Sequence, residues 1–204
     1  MIVVVDYGMA NIGSVLNMFS KVGAAAVASA DAATIRTADK LVLPGVGAFD
    51  QAMARLRRLD LVGPLNEMAL ERRIPVLGIC LGMQLLLDSS EEGDSRGLGW
   101  IAGQAKRFTF DGTDSRLRIP HMGWNELKVR KKSVLFEGVT EPQRYYFVHS
   151  YHAQCEQQDD VLGTAEYGYE LAAAVERGNI SATQFHPEKS HRFGMRLLQA
   201  FASA

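Results

Sequence analysis

The sequence predicts an α/β protein, a mostly parallel open sheet flanked by helices with antiparallel additions in its second half. Three observations carry that reading. First, residues 2–8 (IVVVDYG), 40–47 (KLVLPGVG) and 74–82 (IPVLGICLG) are short apolar runs rich in β-branched residues, each entering a glycine-bearing turn. Unbroken runs of this kind suit strands buried on both faces of a parallel sheet. Second, helix-like stretches at 11–23 and 49–73 separate them, giving a β-α-β-α-β alternation that implies right-handed crossovers. Third, the later runs at 116–129, 145–155 and 170–185 are strand-like but divided by turn residues rather than long helices, so antiparallel or mixed pairing is expected there.

Gly178-Asn179 is a hairpin turn signal inside the last of these runs. The chain closes on an amphipathic helix at 191–204, with Phe193, Leu197, Leu198 and Phe201 at helical spacing as its core face. No repeat, low-complexity tract or Pro/Gly/Ser-rich linker interrupts the 204 residues, so a single domain spanning 1–204 is expected.

Composition narrows the function classes. A hydrophobic fraction of 47% with 22% charged residues is ordinary for a globular protein. Formal net charge is -1, and the longest basic run is Arg130-Lys131-Lys132, read as a solvated turn, so no nucleic-acid footprint is expected. The N-terminus lacks a leader pattern, and no apolar stretch approaches the ~20 residues that span a bilayer, so a cytoplasmic location without a membrane association is expected. Two cysteines, Cys80 and Cys155, are too few for a disulfide framework, and no zinc-like Cys/His spacing occurs, so neither a metal nor a cofactor is expected.

Gly78-Ile79-Cys80-Leu81-Gly82 is the thiol counterpart of a nucleophile elbow. A nucleophile on a sharp strand-to-helix turn holds a strained backbone, and side chains two positions either side of it would collide, so glycine belongs at both. Cys80 then sits at a helix start, which favours the thiolate, and the Leu81 N–H is the natural oxyanion donor. The alternative for Cys80 is a buried small hydrophobe, the usual state of free cysteine. Cys155, with no glycine frame, is read as structural.

A cysteine nucleophile needs a base and the base an orienting group. His186 and Glu188 in ATQFHPEKS are two apart, which in an extended segment places both on one face. His121, His149, His152 and His191 lack such a paired carboxylate, and no two share a helix at metal-ligand spacing. Surface or packing roles are read for His121 and His191.

GICLGMQ and QFHPE resemble the nucleophile and base motifs of the class I, or triad-type, glutamine amidotransferases. The likeness extends through VVDYGMANIGSV, LPGVGAF, IPHMGWNEL and YYFVHSYH, from residue 2 to about residue 200, and is most specific for the glutaminase subunits of imidazole glycerol phosphate synthases. The resemblance implies hydrolysis of L-glutamine through a thioester on Cys80, with ammonia passed to a separate (β/α)8 cyclase subunit in a heterodimer, a step of histidine biosynthesis. It assigns Gly45, Val46 and Gly47 to the second oxyanion amide and backbone contacts with glutamine. Gln84 and the neighbourhood of Ser150, from His149 to Tyr151, would hold the substrate's amino-acid end. Asn11, Trp124, Tyr146 and Lys189 would face the cyclase. One departure is Ala10, where many members carry glycine before the asparagine, which narrows the backbone choices of that loop.

Three rivals differ in what they require. A glutaminase of another pathway would share the triad but lack PHMGWNEL. A non-catalytic relative would release no glutamate. A thiol esterase on an α/β-hydrolase fold would carry its acid well before the histidine in the chain.

Overall fold

A computed structural model describes residues 1–110, 112 and 117–204. The first half delivers the predicted alternation. β1 (Ile2–Val5), α1 (Ile12–Lys21), β2 (Ala26–Ser29), α2 (Ala32–Arg36), β3 (Lys40–Gly45), α3 (Phe49–Arg58), α4 (Val62–Asn66), β4 (Val76–Cys80) and α5 (Leu81–Leu85) follow in order. Strands β2, β1, β3 and β4 lie side by side and parallel. Their side chains divide the core in two. Val3, Val5, Leu41 and Leu43 pack with α2 to α5 on one face, while Ile2, Val4, Val42 and Leu77 pack with α1 and the C-terminal helix α6 (His191–Ser203) on the other. Burial on both faces explains the unbroken apolar runs.

The second half adds β5 (Ser89–Ser90), β6 (Gly103–Arg107), β7 (His121–Val129), β8 (Gln143–His149), β9 (Tyr151–Cys155), β10 (Val161–Tyr167), β11 (Tyr169–Arg177) and β12 (Ile180–Thr183). The order β2-β1-β3-β4-β12-β11-β10-β7-β8 makes one sheet, with β5, β6 and β9 branching from it. Strand β12 is the seam, parallel to β4 and antiparallel to β11. The hairpin at Gly178-Asn179 forms as the sequence predicts, with Arg177 opposite Ile180.

Four details differ from the sequence reading. The helix-like stretch 49–73 is broken at Asp60, whose positive φ of 51° cannot continue a helix, and α4 then runs into a π-helical turn, Glu67–Glu71. The run 145–155 is two strands cornered at Ser150: β8 pairs with β7, whereas β9 pairs with β6 and β11. In the run 116–129, Arg116 lies outside the described residues, and the strand begins at His121. Strand β2 escapes notice because Ala26–Ser29 is an alanine-rich edge strand with only partial burial. Among the described residues, no helix is long and apolar enough to cross a membrane.

Candidate functional site

The site lies where strands β3, β4 and β12 end, the usual ligand position in open α/β sheets. Strand β4 delivers Cys80 directly opposite Gly45 of β3. Its backbone adopts φ 55° and ψ -110°, a strained conformation for a residue with a side chain. The glycine frame permits it: a Cβ on Gly82 would stand 1.7 Å from the Leu43 carbonyl oxygen, and one on Gly78 would stand 2.9 Å from Cβ of Ala182. Helix α5 after the turn has only five residues, so few peptide dipoles are aligned on Cys80.

Because β12 is parallel to β4, with Thr183 beside Ile79, the chain after β12 passes over Cys80. The segment after His186 is not extended as the sequence reading expects, although His186 itself lies past the end of β12 with an extended backbone, φ -102° and ψ 96°. His186 precedes a single 3-10 turn, Pro187–Lys189, with Pro187 at the first helical position, where its fixed φ fits and no N–H is needed. The turn closes the same pair by another route: His186 Nδ1–H donates to Glu188 Oε1 at 2.7 Å, with both side chains nearly solvent-free. Ser190 holds the turn, since its hydroxyl donates to the His186 carbonyl at 2.6 Å and accepts the Tyr146 N–H at 3.0 Å. The His186 N–H in turn donates to the Tyr146 carbonyl at 2.9 Å.

With Nδ1 committed, Nε2 is the ring nitrogen left for proton exchange, and it is buried without a closed hydrogen bond. Burial lowers the His186 pKa, but the adjoining Cys80 and Glu188 outweigh it and raise the ring to about 9. Cys80 Sγ lies 3.9 Å from both the Val148 carbonyl and Gln184 Nε2. A ring that keeps a proton at neutral pH beside a thiol is arranged to share that proton with the sulfur.

A cleft of about 250 Å³ brings together Val46, Gly47, Cys80, Leu81, Gln84, His149, Ser150, Tyr151 and His186. Its size suits one amino acid better than a drug-sized ligand. Gly45 is buried behind it and Glu188 supports His186 from the rear. Three of the expected contacts are already engaged within the protein. The Val46 N–H donates to the Met9 carbonyl at 2.8 Å, so it is occupied in this state. Both His149 nitrogens are engaged, Nδ1 with the Tyr151 carbonyl at 2.8 Å and Nε2 with His121 at 3.1 Å. Gln84 Nε2 is likewise turned to the Tyr151 carbonyl, at 2.9 Å.

The sequence reading missed Glu92, an acid lining the same cleft. One of its oxygens accepts the Phe49 N–H at 2.8 Å, at the start of α3, whose N-cap Ala48 offers no side-chain oxygen. Its loop is fixed by Asp50, which accepts the Asp94 and Ser95 N–H groups at 3.1 and 2.9 Å. No local spacing in SSEEGD singles Glu92 out.

Of the four residues expected to face a partner, Trp124, Tyr146 and Lys189 cluster together. Trp124 is 41% exposed, stacks on His191 at 5.5 Å and meets Tyr146 at 6.3 Å, while the Lys189 ammonium lies 6.0 Å from the Tyr146 ring. Asn11 caps α1, accepting the Ser14 N–H at 3.3 Å, and α1 packs against the turn that carries Lys189. Ala10 is unstrained, because the positive φ angles of non-glycine residues among the described residues fall at Asp60, Arg73, Cys80 and His191. Cys155 is buried at the end of β9 away from the cleft, where burial pushes its thiol up to about 11 and keeps it protonated.

Residues 3–203 match the family described as Glutamine amidotransferase class-I. The chain belongs to this family. The amidotransferase is 49% identical over 98% of both chains to a Pseudomonas aeruginosa protein named imidazole glycerol phosphate synthase subunit HisH 2. It is 47% identical, again over 98% of both chains, to a Methanococcus maripaludis protein of the same name. A Leptospira borgpetersenii protein named imidazole glycerol phosphate synthase subunit HisH is 41% identical over the full length of both. Among solved structures, a crystal structure of a glutamine amidotransferase superposes with a TM-score of 0.76 over 99% of each chain at 18% identity. A Thermoplasma acidophilum protein described as a GMP synthase subunit gives 0.69 over 99% of this chain and 92% of its own, at 20% identity, so these two speak for the fold alone.

Proposed function

We propose that the chain, acting as one domain, is the glutaminase subunit of an imidazole glycerol phosphate synthase in cytoplasmic histidine biosynthesis. The observation that carries the chemistry is the buried His186–Glu188 hydrogen bond of 2.7 Å, which commits Nδ1 and leaves Nε2 for Cys80. Full-length likeness to proteins named as that synthase's subunit supports the pathway.

The Cys80 thiolate attacks the side-chain carboxamide carbon of glutamine, and the carbonyl oxygen takes up the negative charge beside the Leu81 N–H. His186 then gives its proton to the departing nitrogen as the C–N bond breaks, leaving a thioester and ammonia. Water, deprotonated by His186, attacks the thioester carbon, and the thiol leaves with glutamate as the product. Glu188 holds the imidazole in place and offsets its charge without accepting the proton. Glu92 complements the α-ammonium group of glutamine, while the backbone around Ser150 and Tyr151 meets its carboxylate.

Ammonia passes to a (β/α)8 cyclase subunit, which makes imidazole glycerol phosphate and aminoimidazole carboxamide ribotide. Trp124, Tyr146, Lys189 and Asn11 form the docking face of that heterodimer. The occupied Val46 N–H supports a low basal rate: the second oxyanion donor becomes available only when its bond to the Met9 carbonyl is released. The test is to mix the chain with a cyclase subunit and follow glutamine-dependent product formation and glutamate release, with and without the nucleotide substrate. The expected result is slow glutamate release alone and fast release in the liganded complex. Full, ligand-independent activity of the isolated chain overturns the coupling, and no release from any complex overturns the glutaminase assignment.

A further inference from the structure

The motif PHMGWNEL is only partly explained by a docking face, because strand β7 has two sides. Met122 and Trp124 point to solvent, 61% and 41% exposed, whereas His121 on the other side is 3% exposed and Asn125 is half-buried. The inner side starts a hydrogen-bond chain whose direction can be read from its ends. His149 Nδ1 lies 2.8 Å from the Tyr151 carbonyl, which only accepts, so Nδ1 carries the hydrogen. His149 Nε2 in the neutral ring therefore only accepts, and His121 Nδ1, 3.1 Å away, must donate to it. His121 Nε2 is then an acceptor, and Asn125 Nδ2 supplies its N–H at 3.3 Å while giving the other to the Glu166 carbonyl at 2.8 Å. Asn125 Oδ1 accepts the Glu126 N–H at 2.8 Å, which fixes the orientation of the amide.

At the far end the Tyr151 carbonyl takes a second bond, from Gln84 Nε2 at 2.9 Å, so both of its lone pairs are used. Gln84 Nε2 also reaches Gln184 Oε1 at 3.2 Å. Burial holds both imidazoles neutral, His121 lowered to about 4 and His149 to about 3, so the chain has one direction throughout the physiological range. His121 is clamped between Tyr167 and Phe147, at ring distances of 4.0 and 4.8 Å.

We propose that His121 is a positioning residue for glutamine binding: with Asn125 it fixes the tautomer of His149, and through it the Tyr151 carbonyl and Gln84 at the wall of the cleft. The proposal rests on the glutaminase reading. It gives strand β7 two roles on its two sides, contact with the partner outward and support of the substrate wall inward. Reversal at any link leaves a buried acceptor facing an acceptor or a donor facing a donor.

His121→Phe keeps the ring stack and removes the donor to His149. In the complex with the cyclase subunit, KM for glutamine is expected to rise about tenfold with kcat held within about threefold, the pattern of lost ground-state binding. Asn125→Asp, at a half-buried position with little change of shape, presents an acceptor to His121 Nε2 and should shift KM the same way even if His121→Phe fails to fold. Ring 15N spectra of the wild-type chain at neutral pH should show His121 and His149 both protonated at Nδ1. Protonation at Nε2 in either ring, or a wild-type KM in both variants of an active complex, overturns the proposal alone. A wild-type complex that releases no glutamate overturns the glutaminase reading, and the proposal falls with it.

Discussion

The two halves of the sheet solve different problems by different means. In the parallel half, backbone shape does the work: the strained turn at Cys80 exists because Gly78 and Gly82 leave room for Ala182 and the Leu43 carbonyl. In the antiparallel half, side chains and single carbonyls do it, through the chain that runs from Asn125 to Gln84 and the hydroxyl of Ser190. Strand β12 joins the halves, so His186 arrives over Cys80 at their seam. The proposed chemistry depends on the first half and the seam, and the proposed recognition of glutamine and partner draws mainly on the second, with Gln84 and Asn11 supplied by the first. That division can be broken by variants on each side.

The largest effect is expected in the parallel half. Cys80→Ala should abolish glutamine hydrolysis, a loss on the order of several powers of ten because a nucleophile and its base act as a unit. The complex should still make product from added ammonium salts, since the partner's active site is untouched. Substantial glutaminase activity in the purified variant would remove Cys80 from the mechanism.

At the seam, Glu188→Gln should cost about two to four powers of ten in kcat while the fold persists. It also withdraws the carboxylate that, after the adjoining Cys80, helps raise His186 to about 9, so the titration of the ring should move down from that value. A group whose folded pKa is raised stabilises the fold fully below its unfolded pKa, and that contribution is lost as pH rises through the folded value. The stability gap between wild type and variant should therefore narrow from about pH 6.5 to about pH 9, readable in denaturant melts across that window. A constant gap would mean that Glu188 acts on the fold and not on the ring.

Legibility in the sequence follows the same division. The glycine frame, the strand runs and the His186–Glu188 pairing are local, so a short window contains their physical cause. The seam was legible in part: the two-residue spacing identified the pair, but Pro187 builds a 3-10 turn where an extended segment was expected. Glu92 stayed hidden because its place depends on Asp50 and Phe49 some forty residues earlier in the chain. His121 reads as a surface or packing residue in the sequence, since His149 lies 28 residues away and neither ring has a neighbouring acid. The corner at Ser150 was missed for a similar reason, its two strands being claimed by different partners.

A smaller effect is expected from Ser190→Ala, which removes the hydroxyl that ties the His186 carbonyl to the Tyr146 N–H. Loss of one buried hydrogen-bonding group costs about 1–3 kcal/mol of stability. A small displacement of the base should lower kcat on the order of tenfold. Ser190→Thr keeps the hydroxyl and should recover part of that rate; equal losses in both variants would point to packing rather than to the clamp.

The smallest effect on chemistry, and the clearest test of the division, is expected at the docking face. Trp124 is exposed yet stacked on His191 and set against Tyr146, so it is held in one orientation before any partner arrives. A preordered aromatic with a cation beside it has the character of an interface anchor, for which truncation commonly costs about 2 kcal/mol or more of binding. Trp124→Ala should therefore weaken the affinity for the cyclase subunit by roughly thirtyfold or more, and Lys189→Ala, whose ammonium is solvated over the Tyr146 ring, by less. The basal glutaminase rate of the isolated chain should stay within about twofold of wild type in both, because neither side chain lines the cleft. Titration of the cyclase subunit by calorimetry, with glutamate release measured alongside, separates the two quantities. Unchanged affinity in both variants would show that the partner sits elsewhere, whereas a large fall in the basal rate would show that the recognition half reaches into the chemistry through Tyr146 and the backbone of His186.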